Sequence, residues 1–215
     1  MSPTPGATTR RYLSKKFAPT DWNAISAQFD NLERIAGLPD VDLPAWLVQC
    51  SELQASIAEE GTRRHIDYTC APDDKEKEKA FLEYAEGIFP KCAPRWQALA
   101  RLLLGHPKRA ALPAERWGLL LRSVENDVNL FREENIALGI EETKLENEFQ
   151  KISGAMTVQW QGKELPLPRM TVFQEDRDRN VRKEAWEATA KRRMKDREAL
   201  DGVYDKLITL RHRMA

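Results

Sequence analysis

Histidine is the first side chain to weigh, because imidazole binds metals and moves protons near neutral pH. His65 stands in Arg-Arg-His-Ile-Asp, His106 in Gly-His-Pro and His212 in Arg-His-Arg. None opens a His-Glu-x-x-His run, in which two imidazoles share a helix face around zinc and the glutamate serves as general base. Each therefore reads as a surface or loop residue. Cys92 lies beside Lys91 and near Arg95, cations that lower a thiol pKa. No histidine follows at a spacing that pins it nearby, so a structural thiol is the reading. Asp73-Asp74 and Glu133-Glu134 are adjacent carboxylates. Neighbouring helical positions diverge by about 100°, so neither pair makes an acid/base dyad by sequence alone. Asp73-Asp74 reads instead as a helix N-terminal cap.

Residues 177–197 hold nine basic and four acidic side chains, a local excess of five positive charges. A nucleic-acid stripe is one reading of such a run. Its acids are interleaved at helical spacing, as in Lys183 and Glu187, and Trp186 alone offers a ring for stacking. A solvated helix face, or one turned toward an acidic partner, is the better reading. The six tryptophans stand at helical spacings and read as core anchors before ligand contacts.

The elements that must hold these groups are helices. The chain has 215 residues, 41% hydrophobic and 32% charged, enough apolar content for a core and enough charge for long solvated helices. Lys+Arg and Asp+Glu both number 34, so no whole-molecule field draws nucleic acid or anionic membrane. Cys50, Cys70 and Cys92 contain no Cys-x-x-Cys pair, which argues for reduced cytoplasmic thiols rather than a disulfide framework or zinc knuckle. No apolar secretory core opens the chain, and no run is long enough to span a membrane.

Residues 1–18 read as an irregular lead-in, with Pro3, Pro5 and Gly6 opposing helix. Thr20 or Asp21 caps a helix with Trp22, Ile25, Phe29 and Leu32 on one face, closed by Gly37 and Pro39. A second helix starts at Asp42-Leu43-Pro44, with Trp46, Leu47, Cys50, Leu53 and Ile57 inward, weakened at Gly61. A third starts at Pro72-Asp73-Asp74 and buries Phe81, Leu82, Ala85, Ile88 and Phe89. Pro90 and Pro94 should each kink or break it. The pattern resumes at Trp96, Leu99, Leu103 and Leu104. One helical region is expected over 113–138 and a shorter helix over 141–152. Alternation at 155–160, the Gln161-Gly162 turn and a return over 163–167 predict a β-hairpin. Val181, Ala185, Trp186 and Thr189 then share a helix face, and Leu200, Val203, Tyr204, Leu207 and Leu210 share another. The expectation is an all-α fold, an elongated helical bundle, with one small hairpin at about 155–167. Its parts are a lead-in at 1–18, a helical domain at 19–152, and the hairpin with further helices at 153–215.

An ordered series of segments now stands out. Phe131-Arg132-Glu133-Glu134-Asn135-Ile136 is followed by Leu145-Glu146-Asn147-Glu148-Phe149-Gln150-Lys151-Ile152, then by Ser153-Gly154-Ala155-Met156-Thr157-Val158 and the hairpin turn. Asp176-Arg177-Asp178-Arg179-Asn180-Val181-Arg182-Lys183-Glu184-Ala185-Trp186 completes it. The series resembles the N-terminal half of zinc metallopeptidases of the oligoendopeptidase F and thimet-oligopeptidase type. Tyr12-Leu13, Pro19-Thr20-Asp21-Trp22 and Leu207-Ile208-Thr209-Leu210-Arg211-His212 look like the same family. The likeness spans roughly Tyr12 to Ala215.

The resemblance implies two helical halves enclosing a channel that admits short peptides. Zinc, held by His-Glu-x-x-His and a further glutamate, would hydrolyse them. The sequence contains no such motif. The expectation is therefore a chain that ends before the catalytic region, is inactive alone, and takes that region as its partner. No catalytic residue, metal ligand or cofactor is assigned here, zinc being expected only for the full-length member. Arg132, Glu133, Asn135, Ser153, Gly154, Arg177, Arg179 and Trp186 carry the family signature in structural roles. Short peptides in the full-length enzyme are expected partners, nucleic acid and membrane are not, and the cytoplasm is the expected location. The alternative is a non-catalytic helical scaffold that binds a peptide or protein.

Overall fold

A computed structural model describes residues 10–71 and 73–215. The expected roles of Pro3, Pro5, Gly6 and Pro72 lie outside the described residues. The fold is all-α with one two-stranded antiparallel hairpin. No helix among the described residues is long and apolar enough to cross a membrane. The chain divides into two compact units, residues 1–133 and 134–215. The boundary read from sequence at 152 falls near the end of the first helix of the second unit.

In the first unit, helix α1 (Trp22–Ala36) is capped by Asp21, whose carboxylate accepts from the Ala24 amide, and closes at Gly37. Ile25, Phe29 and Leu32 are buried, as the 3-4 spacing requires. Helix α2 (Leu43–Cys70) is capped by Asp42 onto the Ala45 amide, with Pro44 in its first turn. Gly61 does not interrupt it. A Cβ there would strike the Phe89 ring, so the glycine lets that ring lie against the helix. Trp46 joins α1 to α2, its Nε1 donating to the Leu32 carbonyl at 2.9 Å in the core. The lead-in is fastened as well: the Tyr12 and Leu13 amides donate to the Glu52 carboxylate at 2.9 and 3.2 Å.

Helix α3 (Lys75–Gly87) is capped by Asp74, which accepts from the Glu76 and Lys77 amides. The chain breaks at Ile88 and restarts as α4 (Phe89–Gly105), with Pro90 in the first turn. Pro90 thus marks a helix start. Pro94 sits inside α4 without ending it. His106 then caps a short 3-10 turn (Pro107–Ala111), its Nδ1 accepting from the Lys108 amide at 3.1 Å.

Helix α5 (Ala114–Leu130) ends earlier than the region expected to run to 138. Phe131 turns extended, and the Arg132 guanidinium donates to the Asn129 and Phe131 carbonyls at 2.9 Å each. That side chain satisfies carbonyls a helix end leaves orphaned.

The second unit opens with α6 (Glu134–Gly154), one helix where a break near 139–140 was expected. It packs on the last helix, α9 (Arg197–Met214). Asn135 Nδ2 donates to the Met214 carbonyl at 2.9 Å, and Arg211 reaches Glu142 at 2.6 Å and Glu146 at 3.1 Å. Strands β1 (Thr157–Trp160) and β2 (Lys163–Pro166) pair with Trp160 opposite Lys163. Gln161 (φ 49°) and Gly162 (φ 78°) are both left-handed, the turn that matches strand twist. Pro166 ends the ladder opposite Thr157. Helix α7 (Leu167–Gln174) follows at once, and packs on α8 (Arg179–Lys195). Val158, Met170 and Ala185 form a small core closed by Trp160, Leu165, Leu167 and Phe173.

Candidate functional site

A large concavity lies in the first unit, among α2, α4 and α5. It has a volume of about 670 Å³, and its walls are mostly apolar. Trp46, Trp96 and Trp117 line it, one from each helix, with Cys50, Gln97 and Val124 between them. The cause is the packing of α5. That helix has no fully buried residue and rests chiefly on α4, so Trp117 and Val124 face α2 across a gap. Val48 and Leu120, both about 40% exposed, stand on the lining where it opens. Gln97 is buried and donates through Nε2 to the Val128 carbonyl at 3.3 Å, tying α4 to the end of α5.

This cleft is chemically suited to hold apolar side chains and has no evident means of cutting them. Its lining includes one thiol, two serines and one aspartate, but no histidine. Burial pushes the Cys50 thiol up to about 12, well away from the thiolate a nucleophile needs. Cys92 is pushed up to about 11 for the same reason. The lowering expected from Lys91 and Arg95 does not act. Arg95 is engaged by Asp30 at 2.6 Å and Glu33 at 3.1 Å, and the Lys91 ammonium lies over the Trp22 ring.

The thiols yield a prediction. Cys70 is exposed, so it should alkylate first, half-buried Cys50 more slowly through the cleft, and buried Cys92 only as the first unit opens. Cys50 and Cys92 both hold their protons more tightly folded than unfolded. Their contribution is complete below the ordinary thiol range and is lost as pH climbs toward 11–12. Urea midpoints should therefore fall from about pH 9 upward, less so in a Cys50→Ala, Cys92→Ala chain.

The signature residues do not form one site. Arg132 caps α5, Glu133 is exposed in the link before α6, and Asn135 bonds α6 to α9. Ser153 and Gly154 end α6, where the Ser153 carbonyl accepts from the Met156 amide. Arg177 and Arg179 are exposed around the start of α8. The side chain that organises that start is Arg182, absent from the expected set. Its guanidinium donates to the Asp176 and Arg177 carbonyls at 2.7 and 3.0 Å, while Asp178 caps the Asn180 amide. Arg182 stands within the Asp176–Trp186 segment that carries the resemblance, so the signal was present. Trp186, expected among the core anchors, is 63% exposed. It sits one residue past buried Ala185, about 100° round the helix. Among the described residues no cluster of three or more His, Cys, Asp or Glu could hold a metal ion.

The fold is shared with peptidases. The chain superposes on a protein described as an oligoendopeptidase F from Bacillus anthracis strain Ames with TM-score 0.81 at 19% identity. That match covers 95% of this chain and 37% of the other. PZ peptidase A, solved with an inhibitor, matches with TM-score 0.80 at 21% identity over 91% of this chain and 35% of its own. A further structure described as an oligoendopeptidase F matches with TM-score 0.81 at 24% identity over the same shares. The chain thus has the fold of part of these proteins and spans little more than a third of their length. No protein-family model and no curated protein matches the sequence.

Proposed function

We propose that this chain is the N-terminal, channel-forming portion of an oligoendopeptidase F-like zinc metallopeptidase that hydrolyses short peptides in the cytoplasm. The observation that carries this reading is the coverage: more than nine-tenths of this chain matches about a third of each peptidase. The order of the sequence signatures supports it independently. The residues present do not fit a zinc site, since no metal-binding cluster occurs among those described and the sequence lacks His-Glu-x-x-His. Zinc chemistry would therefore belong to a separate catalytic region, and this chain would shape access to it. Arg132, Glu133, Asn135, Ser153, Gly154, Arg177, Arg179 and Trp186 serve that architecture rather than catalysis.

The test has two arms. Purified chain with zinc and internally quenched short peptides should show no hydrolysis and retain no stoichiometric zinc after dialysis. The adjoining coding sequence should encode a His-Glu-x-x-His segment. Zinc-dependent cleavage by the chain alone, or adjoining sequence without that motif, would overturn the proposal. The second reading, a non-catalytic binding module, is favoured by the tryptophan-lined cleft. It predicts that the isolated chain binds apolar peptides saturably and that Leu120→Asp abolishes this.

A further inference from the structure

We propose that the outward face of α8 is a docking surface for an acidic amphipathic helix of a partner polypeptide. Arg179, Lys183, Trp186, Ala190 and Arg193 follow one another at spacings of four, three, four and three. On an α-helix that spacing draws one continuous seam, the pattern by which one helix receives another. The seam is centred about 100° round the helix from buried Ala185 and Thr189, and Arg179, Lys183, Trp186 and Arg193 are exposed. At its centre a large ring stands beside a small residue one turn on. Trp186 is 63% exposed and Ala190 offers only a methyl, a ridge next to a hole into which a leucine-sized knob fits. Met194 extends the apolar strip and is itself 60% exposed.

Charge selects the occupant. Every polar seam position is a cation, and no carboxylate stands among the five. Arg179 and Arg193 form no ion pair among the described residues. Lys183 has Glu187 at 3.8 Å, with both side chains more than half exposed, a weak pairing that a better acceptor displaces. A second copy of this chain would set like charge against like along the whole seam. Nucleic acid is a poorer match, because one ring gives no stacking track. A helix with leucines facing Trp186 and Ala190, and glutamates on either side, satisfies both the apolar strip and the three cations. This surface goes beyond the peptidase reading and does not depend on it.

The experiment titrates the full chain with a designed heptad-repeat helix carrying leucine seams flanked by glutamate, read by calorimetry. Saturable binding that weakens with added salt is expected. Trp186→Ala, at the central anchor, and Arg193→Glu, which reverses a charge facing the peptide's glutamates, should each lower the affinity about tenfold or more. Both positions are exposed, and unchanged circular dichroism would certify the fold. Four results would overturn the proposal: no saturable binding, binding indifferent to both substitutions, tighter binding of a lysine-flanked peptide, or tighter binding of a DNA duplex. Self-association of the chain abolished by Trp186→Ala would overturn it equally, in favour of a second copy as occupant.

Discussion

Truncating Trp46 to alanine is expected to destabilise the first unit by about 5 kcal/mol, at the upper end for a buried aromatic. The indole is only 1% exposed and packs among α1, α2 and α4. Two losses add. Removing the ring forfeits its burial and opens a void. Removing Nε1 also forfeits a buried hydrogen bond to the Leu32 carbonyl, worth about 0.5–1.5 kcal/mol. The neighbouring cleft limits the repair, because wall helices already held apart there have little to collapse onto. Such a loss rivals the total stability of an ordinary domain, about 5–15 kcal/mol. Trp46→Phe separates the terms: it keeps most of the ring and should cost about 1–2 kcal/mol. Trp186→Ala, on the surface, should stay within about 0.5 kcal/mol. Urea denaturation read by hydrogen exchange of α1 and α2 measures the two Trp46 changes, and exchange of α8 measures the Trp186 change. A Trp46→Ala loss near that of Trp186→Ala would mean that α1 is not stitched to α2 through this ring.

The contrast between those two tryptophans marks where sequence is informative. Trp46 lies on a stripe with Leu47, Leu53 and Ile57, and periodicity alone assigns it inward. Trp186 follows Ala185 directly, about 100° round the helix, and periodicity alone does not say which of the two leads the buried face. The stripe of α8 resolves toward Ala185 because Met170 and Val158 meet it there, a tertiary fact that no window along the chain contains. Caps were legible for the same reason as stripes. Asp21, Asp42 and Asp74 act within three residues, so their chemistry is local. The break between α5 and α6 was misplaced because its cause is a side chain folding back. Arg132 terminates α5, yet an arginine in an apolar-periodic stretch reads as an ordinary helical residue. The basic Arg132 followed by acidic Glu133 and Glu134 is the pattern of one helix end meeting another's start.

The candidate site was less legible than the fold. Signature residues such as Asn135 and Arg132 proved to be joints, each satisfying backbone carbonyls at a helix end or between helices. Ordered motifs reveal shared architecture, because helix ends and turns constrain residue type strongly. The cleft is another matter. It arises from what α5 fails to bury, and a helix with half-buried Trp117, Leu121 and Val124 has the same periodicity as one fully packed. Nor could the basic excess over 177–197 be apportioned from sequence. Arg192 is drawn to Asp196 and Arg182 to backbone carbonyls, and only the structure leaves Arg179, Lys183 and Arg193 on one seam.

In the second unit, Met170→Asp should be the most damaging single change, costing more than about 4 kcal/mol. Met170 is fully buried at the junction of the hairpin, α7 and α8, against Val158 and Ala185. It belongs to an eight-residue helix too short to display a period, which is why sequence passed over it. The surrounding cluster is small, so no second layer of apolar contacts compensates. A carboxylate placed there loses its hydration without gaining a partner. The loss should therefore depend on pH in a way a packing defect does not. Burial would raise the pKa of the introduced carboxyl above its unfolded value of about 3.9. Below that value the group is neutral in both states and only the packing defect remains. Above it the unfolded chain ionises first, and stability falls further until the pH passes the raised pKa. Met170→Leu, nearly equal in volume, should cost less than about 1.5 kcal/mol and show no such pH dependence. Hydrogen exchange over residues 157–195 reads the outcome. Full protection of β1, α7 and α8 in Met170→Asp at neutral pH would show that this cluster does not hold the unit together.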